Sequence, residues 1–194
     1  MRRAVFLDRD GVINEMVPSA EGPDSPRTVD QFRLIPRAGA AIRNLNLMGF
    51  PVVVVSNQPG IAKGKLCAED LDAMTAFMRF KLGEEGAVID GLYYCLHHPQ
   101  AVWDEYRIEC ECRKPRAGLL KRAAREMDLA LAGSYMVGDQ PRDMTAGKSA
   151  GCTTVLVASG APAGRPDDAD HVCTDLPDAA RLIAQLEEAS LAVH

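Results

Sequence analysis

Two carboxylates two positions apart, Asp8 and Asp10, directly follow the apolar run Ala4-Val5-Phe6-Leu7. A run that short and bounded by charge reads as a buried parallel strand, and ligands of open α/β sheets lie beyond the carboxyl ends of such strands. Paired carboxylates there suit a divalent cation and covalent phosphoryl transfer. Asp and Gly also favour turns for local reasons, so Asp8-Arg9-Asp10-Gly11 needs company before it reads as a site. Two other apolar runs end in polar residues, at Ser56-Asn57 and at Gly138-Asp139. In a doubly wound sheet these ends share one edge, so residues distant in sequence converge. Asp8, Asp10 and Asp139 with a phosphate and waters suit Mg²⁺. Ser56 and Asn57 can hydrogen-bond a transferring phosphoryl group, and Lys114 can neutralise its developing charge.

A second constellation is Cys95-x-His97 with Cys110-x-Cys112, three thiolates and an imidazole suited to tetrahedral zinc. Alternation along a strand points Cys95 and His97 to one face and His98 to the other. The alternative is a buried thiol or two beside an exposed His pair. A closed Cys₃His site leaves no position for substrate, so its role is structural, pinning the loop that delivers Arg113 and Lys114. Cys67, Cys152, Cys173, His171 and His194 lack such company.

The elements that must position these residues alternate. After the first strand comes an irregular stretch, 14–36, rich in Pro, Gly, Ser and Asp. Ala38, Ala41, Ile42, Leu45 and Met48 follow helical spacing, with Gly49 as a stop. Strand 51–55 precedes a helix marked by Leu71, Met74, Phe77, Met78 and Leu82. Strand 88–95 leads into the Cys/His loop, 95–112. Helix 118–127, strand 134–137, helix 144–150, strand 152–157 and helix 176–191 complete the chain. This alternation predicts an α/β class protein, a doubly wound, mostly parallel sheet with right-handed crossovers, in one domain over 1–194.

Competing motifs fail: Gly64-Lys65 leads into Leu66 and not Ser or Thr, no G-x-G-x-x-G follows a strand, and no Ser lies in a G-x-S-x-G elbow. A formal net charge of -5 gives no overall footprint for nucleic acid or an anionic membrane, so an anionic ligand needs a local basic cluster. Arg2-Arg3 and five apolar residues make no signal peptide, and six cysteines without one predict reduced thiols or metal ligation. The expectation is a soluble cytoplasmic protein.

Phe6-Leu7-Asp8-Arg9-Asp10-Gly11, Ser56-Asn57-Gln58, Arg113-Lys114-Pro115 and Gly138-Asp139 resemble, in order, the four motifs of the haloacid-dehalogenase-like (HAD) phosphohydrolases. Ser56 to Gly64 and Tyr93-Tyr94-Cys95-Leu96-His97-His98-Pro99 look like the heptose-1,7-bisphosphate 7-phosphatases and their histidinol-phosphatase relatives. The resemblance implies a HAD-like Rossmannoid fold without a large cap domain. It implies Asp8 as nucleophile and Mg²⁺ ligand, and Asp10 as acid and base with its backbone carbonyl on the metal. Asp139 would complete the Mg²⁺ site, while Ser56 and Lys114 hold the phosphoryl group. Arg113 would recognise substrate, alongside Asn57, Gln58 and Gln140, and the zinc would be structural.

Two departures stand out. Gln140 occupies a place where the heptose enzymes carry Lys, and Met16 to Arg27 differs from the family's sugar-contacting stretch. The implied function is Mg²⁺-dependent removal of the 7-phosphate from a heptose 1,7-bisphosphate through an aspartyl-phosphate, in heptose precursor biosynthesis. The implied partner is thus a small sugar phosphate, and the implied state a monomer. Histidinol phosphate, or another small phosphomonoester, is the alternative substrate. A zinc-stabilised binding module without catalysis is the alternative of another class.

Overall fold

The computed structural model describes residues 1–20, 22–158 and 167–192; His194 lies outside them. Among the described residues six strands form one sheet: β1 (Arg2–Leu7), β2 (Val52–Asn57), β3 (Gly91–Cys95), β4 (Leu129–Gly138), β5 (Thr153–Val157) and β6 (His171–Cys173). Their order is β3-β2-β1-β4-β5-β6, and every pairing is parallel. The helices are α1 (Ala38–Leu47), α2 (Ala68–Glu84), α3 (Gly118–Met127), α4 (Pro141–Ala150) and α5 (Leu176–Ala192).

Continuous apolar runs form β1 and β2 because both faces of the sheet are covered. Val5, Leu7, Val52 and Val54 pack with Ile42 and Leu45 of α1, Met74 and Met78 of α2 and Ile183 of α5. Ala4, Phe6, Val53 and Val55 point the other way, onto Leu119, Leu120 and Ala123 of α3 and Ala146 of α4. The chain winds outward from β1 to β3 on one side and from β4 to β6 on the other. The crevice between the carboxyl ends of β1 and β4 is therefore the switch point where an open sheet receives ligand.

Three elements begin three or more residues away from the sequence expectation. Helix 144–150 begins earlier, at Pro141, because proline suits the first helical position and the Asp143 carboxylate accepts a 3.0 Å hydrogen bond from the Gln140 amide. Strand 88–95 begins at Gly91, since the Asp90 side chain turns back to accept from the Val52 amide at 2.8 Å. Strand 134–137 extends back to Leu129 through an irregularity opposite Arg3 and Val5, which Ser134 closes by accepting from the Ala4 amide at 2.9 Å. The three-residue β6 has too short a pattern to announce itself; it gives His171 a place opposite Val155. Among the described residues of 14–36 a 3₁₀ turn covers Val29–Gln31, and a bridge joins Val17 to Asp24. No helix among the described residues is long and apolar enough to cross a membrane.

Candidate active site

Beyond Leu7 the backbone of Asp8 donates to the Val137 carbonyl at 3.0 Å, which ties the start of the loop to β4. The Arg9 carbonyl then accepts from Ile13 and Asn14 at 2.8 and 3.1 Å, folding the loop back on itself. Gly11 lies at φ +79°, and a Cβ there would overlap the Asp139 carboxylate. Only glycine meets both demands cheaply.

Asp8 and Asp139 converge with a third carboxylate, Asp143, one ligand oxygen of each lying within 4.8 Å of the others. Burial pushes the Asp139 carboxyl up to about 6; a hydrogen bond from Gln140 opposes this, and the charges of Asp8 and Asp143 add to it. Burial likewise raises Asp8, against the pull of the Lys114 ammonium. Three hard oxygen donors crowded this closely call for a cation, and Asp139 Oδ1 is buried without a hydrogen-bond partner. The donor set fits Mg²⁺. Asp143 is not among the residues that the motifs single out. Its signal is the run Gly138-Asp139-x-x-x-Asp143 at the mouth of a helix, where a four-residue step returns to the same face.

The Asp10 carboxylate faces elsewhere. It accepts from Arg9 Nε at 3.0 Å, Asn14 Nδ2 at 2.9 Å, Ser25 Oγ at 2.7 Å and Gln58 Nε2 at 2.7 Å. Burial works to raise this carboxyl, but the Arg9 charge and the hydrogen bonds outweigh it and hold the group below the ordinary Asp range. Its carboxylate is not among the clustered metal donors. Ser25 belongs to the loop 16–27, so that loop reaches the Asp10 carboxylate directly.

Lys114 is fully buried, its Nζ 3.0 Å from Asp8 Oδ1 and 2.6 Å from Asp143 Oδ1. Asn57, expected from sequence as a substrate contact, is turned instead onto the backbone of Lys114. Its Nδ2 donates to the Lys114 carbonyl and its Oδ1 accepts from the Lys114 amide, both at 3.0 Å. That pair fixes the backbone carrying the cation. Gln58 is also turned inward, donating to Ser56 Oγ at 3.2 Å as well as to Asp10. Ser56 is buried at the end of β2.

The four zinc-suited residues meet. Cys95 Sγ lies 3.2 Å from Cys112 Sγ and 3.7 Å from Cys110 Sγ, while His97 Nδ1 lies 3.2 Å from Cys112 Sγ and 3.8 Å from Cys95 Sγ. A tetrahedron with Zn–S bonds of ~2.3 Å has edges of roughly 3.8 Å, so the set fits zinc. His98 faces away, its Nδ1 accepting from the Gln100 amide at 3.0 Å. The cluster is joined to Lys114 through Arg113, which follows Cys112 and donates from Nη1 to the His97 carbonyl at 3.0 Å. Gln140 donates from Nε2 to Asp139 Oδ2 at 3.0 Å, beside the carboxylate cluster.

The chain is similar to known proteins in sequence and fold. A family model described as HAD-hydrolase-like matches residues 111–179. The D-glycero-beta-D-manno-heptose-1,7-bisphosphate 7-phosphatase of Escherichia coli K12 is 39% identical over 188 residues, covering 95% of each chain. The protein of that name from Pasteurella multocida is 37% identical over 190 residues, 96% of this chain and all of that one. The crystal structure of the D,D-heptose 1,7-bisphosphate phosphatase of B. bronchiseptica, complexed with magnesium and phosphate, superposes with a TM-score of 0.80 at 33% identity, covering 94% of this chain and 98% of that one. Fold and sequence thus define a phosphatase of the HAD-like class. The chain belongs to the family of D-glycero-beta-D-manno-heptose-1,7-bisphosphate 7-phosphatases.

Proposed function

We propose that this phosphatase removes the 7-phosphate from a heptose 1,7-bisphosphate, with Asp8 as nucleophile and Asp10 as acid and base. The observation that carries the reading is the meeting of Asp8, Asp139 and Asp143 at the switch point of the sheet, with the Lys114 ammonium paired to Asp8 and Asp143. Asp8, Asp139 and Asp143 would hold Mg²⁺, as would the Asp10 carbonyl on the family resemblance. When bound, Mg²⁺ offsets the negative charge of the transferring phosphoryl group.

An Asp8 oxygen attacks phosphorus, the bond from phosphorus to the sugar oxygen breaks, and the Asp10 proton goes to that oxygen. Asp10 then takes a proton from the water that attacks phosphorus, and the carboxylate of Asp8 is released with inorganic phosphate. Asp10 must carry a proton for the first step. A phosphate dianion arriving beside it adds like charge and drives the carboxyl upward from its low resting value. Lys114 and Ser56 steady the phosphoryl oxygens.

A cavity of about 580 Å³ between Gly11, Asp139 and Gln140 on one side and Glu15, Met16 and Pro23 on the other is large enough for a sugar. Positive charge gathers around Arg113: its guanidinium is held down by burial and by the nearby Arg142, and the His98 imidazole by burial, Lys63 and Arg113. In a chain of net charge -5 this local excess suits a second phosphate. The zinc loop, 95–112, is read as a structural clasp within a single domain. The same reading makes the protein a cytoplasmic monomer without nucleic acid or membrane as partner. Phosphate release from both anomers of heptose 1,7-bisphosphate, compared with histidinol phosphate, tests the substrate. Turnover of a bisphosphate anomer at least tenfold faster is expected. Preference for histidinol phosphate would replace this substrate with the amino-alcohol ester.

A further inference from the structure

Arg9 is an anomaly on the grounds of burial alone: its side chain has no solvent exposure, and arginine is almost never fully buried unless paired. Its counter-charge is the adjacent Asp10, met by Nε at 3.0 Å and Nη2 at 3.2 Å. Both carboxylate oxygens are therefore gripped by one planar fork, which fixes the direction of the carboxyl plane as well as its place. The fork is itself clamped. The guanidinium carbon lies 5.9 Å from the Phe32 ring centre and 5.7 Å from that of Tyr94. Phe32 in turn meets Phe77 of α2 edge-on, with ring centres 6.1 Å apart, and the Tyr94 hydroxyl lies 3.1 Å from Thr75 Oγ1. Arg9 is thus wedged between an aromatic side chain of the loop after β1 and one of β3, both braced on α2.

Burying an ion pair adds little net stability over an apolar pair of the same volume. What this pair does supply is orientation. We propose that Arg9 is the positioning residue of Asp10, holding its carboxyl in the direction needed to protonate the leaving sugar oxygen. The proposal rests on the reading of Asp10 as the acid. Ser25 and Gln58 complete the seat from the far side, each 2.7 Å from Asp10 Oδ2, but neither grips both oxygens. Lysine at position 9 would keep the buried charge and lose the fork, because an ammonium is a point donor.

Leaving-group dependence separates positioning from mere structural support. Cleavage of an alkyl phosphate needs the acid, whereas p-nitrophenolate leaves without it. With Mg²⁺ saturating, kcat/KM is measured for heptose 1,7-bisphosphate and for p-nitrophenyl phosphate in wild type, Arg9→Lys, Arg9→Met and Asp10→Asn. In Arg9→Lys the ratio of sugar ester to aryl ester should fall about tenfold or more, part of the 10²–10⁴ that a general acid contributes. Asp10→Asn should lower the same ratio further. If Asp10→Asn lowers it and Arg9→Lys leaves it unchanged, or lowers both substrates equally, the positioning role of Arg9 is refuted. If Asp10→Asn itself leaves the ratio unchanged, the acid has been misassigned. Arg9→Lys retains the buried charge, so the test stands even where Arg9→Met does not fold.

Discussion

The Lys114 ammonium lies closer to Asp143, at 2.6 Å, than to Asp8, the proposed nucleophile, at 3.0 Å. In the proposed mechanism the cation that steadies the phosphoryl group is therefore anchored by a carboxylate that takes no part in bond making. Fully buried, Lys114 is kept charged against desolvation by these two carboxylates, which together hold its pKa above the ordinary lysine value.

Asp143→Asn keeps the shape and removes the anchor. The expected outcome is a fall in kcat of about 10–100-fold and a comparable loss of Mg²⁺ affinity, the range seen when a supporting partner of a metal site is removed. Steady-state kinetics across a Mg²⁺ titration measure both. An unchanged Mg²⁺ dependence would remove Asp143 from the metal site.

With Asp139 as a proposed Mg²⁺ ligand, proton and metal compete for its carboxylate. Its carboxyl is raised to about 6 by burial and by its neighbours, so below that pH the free enzyme holds a proton that Mg²⁺ must displace. Apparent Mg²⁺ affinity should therefore be flat above pH 7 and fall as pH drops through 6, by about tenfold per unit where one proton is exchanged. Calorimetric titration with Mg²⁺ at pH 5, 6 and 7.5 reads this directly. Constant affinity across those values would mean that Asp139 ionises as an ordinary surface carboxyl.

The cluster of Cys95, His97, Cys110 and Cys112 should carry one zinc per chain, measured by elemental analysis of protein purified without added metal. Cys112→Ser should cost at least the ~10–100-fold in zinc affinity that even an outer partner is worth. Phosphatase activity should fall with it, because the next two residues are Arg113 and Lys114. Added Mg²⁺ should not restore that activity. Full activity in zinc-free protein would make the clasp dispensable.

Gly11→Ala attacks the loop from its backbone. A side chain at φ +79° costs about 1–2 kcal/mol, or roughly 2–8 °C in Tm for a chain of this size, before the overlap with Asp139 is counted. Thermal unfolding and Mg²⁺ binding should both suffer. An unaltered Tm would show that the loop relaxes around the methyl group.

The strand ends are legible in the sequence because each is a short apolar run stopped by polar residues, and the zinc set because four ligating side chains come in two close pairs. Asp143 is hidden when α4 is given a late start; with the helix beginning at Pro141, it falls in the first turn, against Lys114. Arg9 and Ser25 give no periodic signal, one being a charge in a tight loop and the other part of an irregular stretch. Asn57 and Gln58 have the right chemistry for a phosphate, but their amides complete the packing around Lys114 and Asp10. Types and order are written in the sequence; which polar group satisfies which is decided by tertiary packing.

Covalent catalysis at Asp8 is tested most directly by acid-quenching single turnovers of heptose 1,7-bisphosphate with Mg²⁺ and mapping the protein by mass spectrometry. Phosphate should appear on the peptide carrying Asp8, transiently in wild type and never in Asp8→Asn, which should release no phosphate. Phosphate release by Asp8→Asn at the wild-type rate, or a label on any other residue, would contradict it.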